Sequence, residues 1–160
     1  MDTQLNQTDL ARVRSLYKKL LESWNNNNAS EFALLFSKDG NTIGFDGSQM
    51  NGQQDIYDQL SAIFANHKVA SYVGIVRDIR PLSDTIFVLR ADAGMVPSGK
   101  SDINPVVNAI QTLIAQKNSD EFSIAVFQNT PAAFHGRPEL SEKLTEELRR
   151  ALKSEQIISA

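Results

Sequence analysis

The sequence predicts a single α+β domain in which N-terminal helices pack on a strongly curved, mostly antiparallel sheet that forms a cone. Apolar residues follow helical spacing up to residue 66, and they alternate with a period of two from residue 69 to 130. Segregated helices and strands of this kind are typical of α+β proteins. Two glycines inside the long predicted strands, Gly74 and Gly94, indicate that the sheet bends.

The first half of the chain is predicted to be mainly helical. The first helix covers residues 8–24, and the asparagines that follow end it because Asn tolerates the left-handed conformation. The apolar stripe of this helix consists of Leu10, Val13, Tyr17, Leu20, Leu21 and Trp24. Next come a short helix through Phe36, a turn at Asp39 and Gly40, a strand over 41–46 and a third helix over 53–66.

The second half is predicted to contain four strands and one helix. Two strands cover residues 69–80 and 85–96, and a hairpin with its tip at 117–121 occupies residues 111–130. Pro138 fits the first turn of a final helix that carries a leucine every four residues. We therefore divide the chain into a cone domain, residues 8–137, and a C-terminal helix, residues 138–157, docked on the same or a partner subunit.

Composition excludes several classes of function. The 160 residues include no cysteine, which excludes disulfides and thiol catalysis. The net charge of −3 comes from interspersed acids and bases, so no basic face for nucleic acid is expected. No apolar run approaches the roughly 20 residues that span a bilayer, and no signal peptide is recognisable, so we expect a cytoplasmic protein without membrane contact. The histidines His67 and His135 lack the spacing of metal ligands, so no metal is expected.

Four short segments carry a resemblance to a known family. They are Gly94-Met95-Val96-Pro97, Asp102-Ile103-Asn104-Pro105, Asn108-Ala109-Ile110-Gln111-Thr112-Leu113 and Phe127-Gln128-Asn129-Thr130. Over about residues 8–150 the chain resembles the SgcJ/EcaC-type family of the nuclear transport factor 2-like, SnoaL-like superfamily. The resemblance implies three helices over a curved sheet, and a homodimer that pairs through the sheet. No G-x-G-x-x-G fingerprint is present, so no dinucleotide or other cofactor is expected.

A cone of this kind predicts an apolar pocket at its open end for a small apolar or amphipathic ligand. We expect aromatic side chains and one amide to line it: Tyr17, Trp24, Phe36, Phe45, Phe127 and Asn129. Strict alternation places Asn129 on the same face as Phe127 and Ala125, and it places Gln128 with Ile124 and Phe122 on the other. The alternative is that the aromatic residues pack in the core and that the amides bind backbone groups.

Two residues are candidates for proton transfer. The resemblance to ketosteroid isomerases implies a carboxylate base on the first strand, where Asp46 shares a face with the matching position at Gly44. Asp46 also suits a turn beside Gly47. His67, near the mouth of the cone, is either a general base or the C-terminal cap of the third helix. The register of the strands decides whether Arg90 faces the pocket or the outer side of the sheet.

The leading hypothesis is therefore a small-molecule-binding protein of unknown specificity with an apolar pocket in the cone. The first alternative is an isomerase or cyclase that abstracts a proton with Asp46 or His67. The second alternative is a non-catalytic dimerisation module with a filled core.

Overall fold

The computed structural model describes residues 3–154 and 158–159, and it shows helices packed on both faces of one curved, seven-stranded sheet. The α-helices are α1 (Thr3–Asn25), α2 (Ala29–Leu34), α3 (Gln53–Asn66) and α4 (Pro138–Lys153). The strands are β1 (Phe36–Ile43), β2 (Gln49–Asn51), β3 (Ser71–Pro81), β4 (Ile86–Val96), β5 (Ala109–Asn118), β6 (Glu121–Pro131) and β7 (Ile158–Ser159). The predicted α+β cone is confirmed. None of the described helices is both long and apolar enough to cross a membrane.

The order of the strands in the sheet is β2-β1-β6-β5-β4-β3-β7. The long strands β3 to β6 form an antiparallel meander. The first strand β1 pairs in parallel with β6, and the two-residue β7 pairs in parallel with β3. The N-terminal part of the chain therefore lies beside its last long strand.

The helices α1, α2 and α3 cover the inner face of the sheet and enclose the main core. The buried stripe of α1 packs there with Phe87 and Leu89 of β4 and Leu113 of β5. These side chains alternate with outward-facing neighbours, as a half-buried strand requires. The inner face of the cone is thus mostly apolar.

The C-terminal helix α4 packs on the outer face of β3 and β4 within its own chain. Leu144 and Leu148 of α4 contact Val73 and Ile75 of β3 in a second, smaller cluster. Residues 155–157 of the predicted helix lie outside the described part of the chain.

Gly74 and Gly94 bring helices close to the two faces of the sheet. A Cβ atom on Gly74 would lie 2.5 Å from the Tyr17 hydroxyl of α1. A Cβ atom on Gly94 would lie 3.0 Å from Leu148 Cδ1 of α4, on the opposite face. These glycines therefore provide room for helix packing, whereas the sequence predicted only a bend.

Three predictions about strand boundaries and faces were wrong. Phe36 begins β1 and does not end α2, and the predicted turn at Asp39 and Gly40 is a register shift within β1. A bulge in β6 beside Ala125 reverses the alternation, so Ile124 is buried on the same side as Phe127. Bulged strands carry one unpaired residue, which shifts every preceding side chain to the other face.

Candidate functional site

The open end of the cone contains a cavity of about 280 Å³, here called the cone cavity. It lies among α1, α2, α3, β1, β3 and β6. Its apolar walls are formed by Leu20, Leu21, Trp24, Phe32, Ile43, Phe45, Met50, Leu60, Ile63 and Phe127. The polar or polar-ended side chains that reach it are Thr42, Asp46, Ser48, Tyr72 and Asn129.

Trp24 forms the wall at the end of α1, and its ring is held on several sides. Its Nε1 donates a hydrogen bond to the carbonyl oxygen of Ala70 at 2.9 Å. The ring centroids of Phe64 and Tyr72 lie 5.3 Å and 5.4 Å from that of Trp24. Tilted and edge-on contacts of this kind favour aromatic pairs beyond their buried area. The indole is therefore a fixed part of the wall.

Asn25 positions Tyr72, a cavity residue that the sequence analysis missed. The Asn25 side chain accepts a hydrogen bond from Tyr72 N at 2.7 Å and donates one to Tyr72 O at 3.0 Å. One amide thus satisfies both backbone groups at the start of β3. The sequence identified Asn25 only as a residue that ends a helix, and nothing local to it indicates a partner 47 positions away.

A buried hydrogen-bond chain supports Asn129 from behind the cavity wall. The Tyr17 hydroxyl donates to Gln111 Oε1 at 2.6 Å, and Gln111 Nε2 donates to Asn129 Oδ1 at 2.7 Å. Tyr17 and Gln111 are both fully buried. Burial raises the pKa of Tyr17 well above 10, so this phenol stays protonated and remains a donor. The chain therefore fixes the orientation of Asn129 at the cavity surface.

Two hydroxyl groups of the cavity wall have no hydrogen-bond partner among the described residues. They belong to Tyr72 of β3 and Thr42 of β1. Burial raises the pKa of Tyr72 to about 12, so its hydroxyl is protonated at every physiological pH. Both residues line the cavity, and their hydroxyl groups have hydrogen-bonding capacity that the described residues do not use.

The two candidates for proton transfer are poorly placed for it. Asp46 reaches the cavity mouth but is exposed, and its Oδ1 accepts a hydrogen bond from Ser48 N at 2.9 Å. Hydrogen bonds from Ser48 lower the pKa of Asp46, which makes the carboxylate a weaker base. His67 is exposed, ends α3 through a hydrogen bond from its backbone N–H to Ile63 O, and does not line the cavity. Both residues fit their structural alternatives better.

The other predicted site residues divide between cavity and core. Trp24, Phe45, Phe127 and Asn129 line the cone cavity. Tyr17 and Phe36, predicted to line it, lie in the core instead. The ring of Phe36 stacks on that of Phe32, with centroids 5.6 Å apart, one layer below the cavity.

Charged groups are scarce around the cavity. Arg90 lies on the outer face, where its Nε donates to Asp78 Oδ1 at 3.0 Å, so the register excludes it from the pocket. Among the described residues, no group of three or more His, Asp or Glu side chains could hold a metal ion.

Comparisons with known proteins identify the fold. No family model matches the chain, and no curated protein matches it. A cystatin-like domain of unknown function from Nostoc punctiforme is 18% identical, with a TM-score of 0.76 over 96% of this chain and 95% of its own. An NTF-2-like protein of unknown function from Shewanella oneidensis is 17% identical, with a TM-score of 0.58 over 75% of this chain and 97% of its own. A ketosteroid isomerase-like protein from Erwinia carotovora is 11% identical, with a TM-score of 0.61 over 78% of this chain and 96% of its own. The chain therefore has the cystatin-like fold that NTF-2-like proteins share.

Proposed function

We propose that this protein binds a small, largely apolar molecule in the cone cavity. The observation that carries the proposal is the cavity itself, about 280 Å³ of space with apolar walls and a few polar groups. Pockets that enclose small ligands start at roughly 300 Å³ and have this composition. A dimerisation module with a filled core would not keep such a space.

The alternative of an isomerase or cyclase finds less support in the same cavity. Proton abstraction needs a base in apolar surroundings with its pKa near neutrality. Among the described cavity residues, Asp46 is the one carboxylate, and its pKa is lowered by Ser48. The ketosteroid isomerase-like neighbour shares the fold, but a fold alone does not assign a reaction.

Trp24 is the single tryptophan of the chain and lines the cavity, so its fluorescence reports on occupancy. We expect 1-acetyladamantane, a compact neutral ketone, to change the Trp24 emission in a saturable way. Ile63→Phe places extra volume in the cavity wall, and we expect it to weaken this binding at least tenfold. The matched control is Leu34→Phe on α2, which is 70% exposed and outside the cavity. Unsaturable emission, or equal binding by Ile63→Phe, would contradict the proposal.

We also propose that two copies of the chain pair through the outer face of the sheet. Beyond α4, this face carries a stripe of buried or half-exposed apolar side chains on neighbouring strands: Ile86, Val88, Ile114 and Val126. Between the strand ends, the polar residues on the same face of β5 and β6 are uncharged, so two copies would not repel each other there: Thr112, Gln116, Ser123, Gln128 and Thr130. The acidic Glu121 lies on this face at the tip of the hairpin, away from the apolar stripe. Pairing would leave the inner cavity accessible because it uses the opposite face.

A further inference from the structure

We infer that the molecule bound in the cone cavity carries a neutral hydrogen-bond acceptor, such as a ketone or ester carbonyl, that receives its hydrogen bond from Asn129 Nδ2. The inference rests on the proposed function and adds to it the chemical class of the ligand. It depends on the direction of the hydrogen bonds behind the cavity wall.

The direction of the chain is set at its buried end. Tyr17 is fully buried, and the acceptor within reach of its hydroxyl hydrogen is Gln111 Oε1 at 2.6 Å. If the Gln111 amide were reversed, this hydrogen would lose its acceptor, and a buried donor without a partner is costly. Gln111 therefore turns its Nε2 towards Asn129, where it donates to Oδ1.

The orientation of Asn129 follows from this donation. Its Oδ1 already accepts a hydrogen bond from Gln111, whereas its Nδ2 has two hydrogens to donate. Nδ2 makes no hydrogen bond with any residue that the structure describes. The half-buried Asn129 thus presents a hydrogen-bond donor, and a ligand that bonds to this donor must supply an acceptor.

Tyr72 adds a second donor to the same wall. Its hydroxyl has no partner within the described part of the chain, and it remains protonated because burial raises its pKa to about 12. Thr42, which is 8% exposed, supplies a hydroxyl that can donate or accept. Away from the mouth, Asn129 and Tyr72 therefore both supply side-chain donors to the wall.

Charge separates a neutral acceptor from a carboxylate. No lysine, arginine or histidine lines the cavity among the described residues, and Asp46 stands at the mouth. A buried carboxylate without a cation keeps its desolvation cost, and Asp46 would repel it. A carbonyl oxygen satisfies the same donors without that cost.

The test uses three probes of one shape, followed by Trp24 fluorescence. They are 1-acetyladamantane, its alkene isostere 1-isopropenyladamantane, and adamantane-1-carboxylate. The measured quantity is the ratio of the alkene Kd to the ketone Kd, compared between variants so that the different hydrophobicity of the probes cancels. We expect Asn129→Leu to lower this ratio about tenfold, the equivalent of one hydrogen bond. The carboxylate should bind more weakly than the ketone to the unchanged protein.

The matched control is Gln128→Leu, which removes the adjacent amide from the outer face and should leave the ratio unchanged. Tyr17→Phe tests the positioning role of the buried chain. It should lower the ketone preference severalfold while the alkene Kd stays the same, whereas a merely structural loss would weaken both probes equally.

The outcomes distinguish this inference from the proposed function. If both neutral probes bind and Asn129→Leu leaves the ratio unchanged, the inference that the ligand carries an acceptor for Asn129 is overturned. The proposal that the cavity binds a small molecule then still stands. If neither probe gives a saturable signal, the proposed function fails and the inference fails with it. Should Asn129→Leu not fold, NMR of the unchanged protein decides, because the ketone should shift the Asn129 side-chain amide and the alkene should not.

Discussion

At Gly74, the lack of a side chain decides how closely α1 approaches the sheet. A Cβ atom there would lie 2.5 Å from the Tyr17 hydroxyl and 3.0 Å from Leu21 Cδ1. Both partners are buried, and Tyr17 is tied to Gln111. A methyl group would therefore push α1 away from the strand or break the hydrogen-bond chain behind the cavity.

We expect Gly74→Ala to lower the free energy of unfolding by about 1–3 kcal/mol, the usual cost of overpacking a core. Urea denaturation measures the change through the midpoint. Gly44→Ala is the matched control, because a Cβ atom there meets its nearest neighbours at 3.5 Å, an ordinary contact. A Gly74→Ala midpoint equal to that of the unchanged protein would show that α1 can accommodate a methyl group at this position without loss of stability.

At the scale of elements, α4 is held to the sheet by apolar packing and by charge. Besides its leucines, Arg149 Nε and Nη2 reach Asp102 in the loop after β4 at 3.1 Å and 3.2 Å. Hydrogen bonds from Arg149 and from the backbone of Ile103 lower the pKa of Asp102. A carboxylate with a lowered pKa stabilises the folded state above its unfolded pKa, and this contribution disappears as the pH falls through the folded pKa.

Asp102→Asn should therefore melt at a lower temperature than the unchanged protein at pH 7. The asparagine can still accept from Ile103 N, so the substitution removes mainly the charge. The gap in Tm should close as the pH falls from about 4 towards 2, since an unperturbed Asp titrates near 3.9. Thermal melts across this pH range measure it, and 1 M salt should reduce the gap at pH 7. A gap that is constant down to pH 2 would contradict the ion pair.

The positions of the helices and strands were largely predictable from the sequence. The face of the sheet on which each strand side chain lies was only partly predictable. The helical stripe of α1 and the period-two alternation of β4 arise because each element buries one face. Burial of one face appears in the sequence as a regular spacing of apolar residues. The bulges beside Val76 and Ala125 insert one residue each, and no local signal marks them. Ile79 and Ile124 therefore lie on the opposite face from the one that strict alternation gives.

The site was predictable to the same extent. Phe127 and Asn129 lie on the cavity side of the β6 bulge, so their predicted face agrees with the structure. Tyr17 lies on the same helical stripe as Trp24, but two turns earlier in α1, where it is fully buried in the core. The spacing of apolar residues predicts which face of a helix is buried, and it does not predict which of those residues reach the cavity. Met50 and Thr42 reach the cavity through the β1–β2 pairing, a contact that the sequence did not indicate.

For the whole molecule, the proposed pairing through the sheet is tested by mass. Light scattering should return a dimer for the unchanged chain at micromolar concentration. Ile114→Lys places a charge in the half-exposed stripe of the outer face and should yield a monomer with unchanged circular dichroism. Leu34→Lys is the control, since that leucine is exposed on the helical side and should leave the dimer intact. A monomer for the unchanged chain would refute the pairing.

The parallel pairing of β1 with β6 has a consequence for the order of folding. Phe36 lies beside Ile124 and Thr42 beside Phe127, so more than half of the chain separates the paired strands. Contacts between residues so far apart in sequence form slowly. The conformational entropy of closing the large loop is lost before these contacts can stabilise the chain. During synthesis, the helices α1, α2 and α3 and the strand β1 emerge long before β6. The cone cavity therefore cannot close until β6 has been made, and a chain interrupted before β6 would expose the apolar inner wall to aggregation.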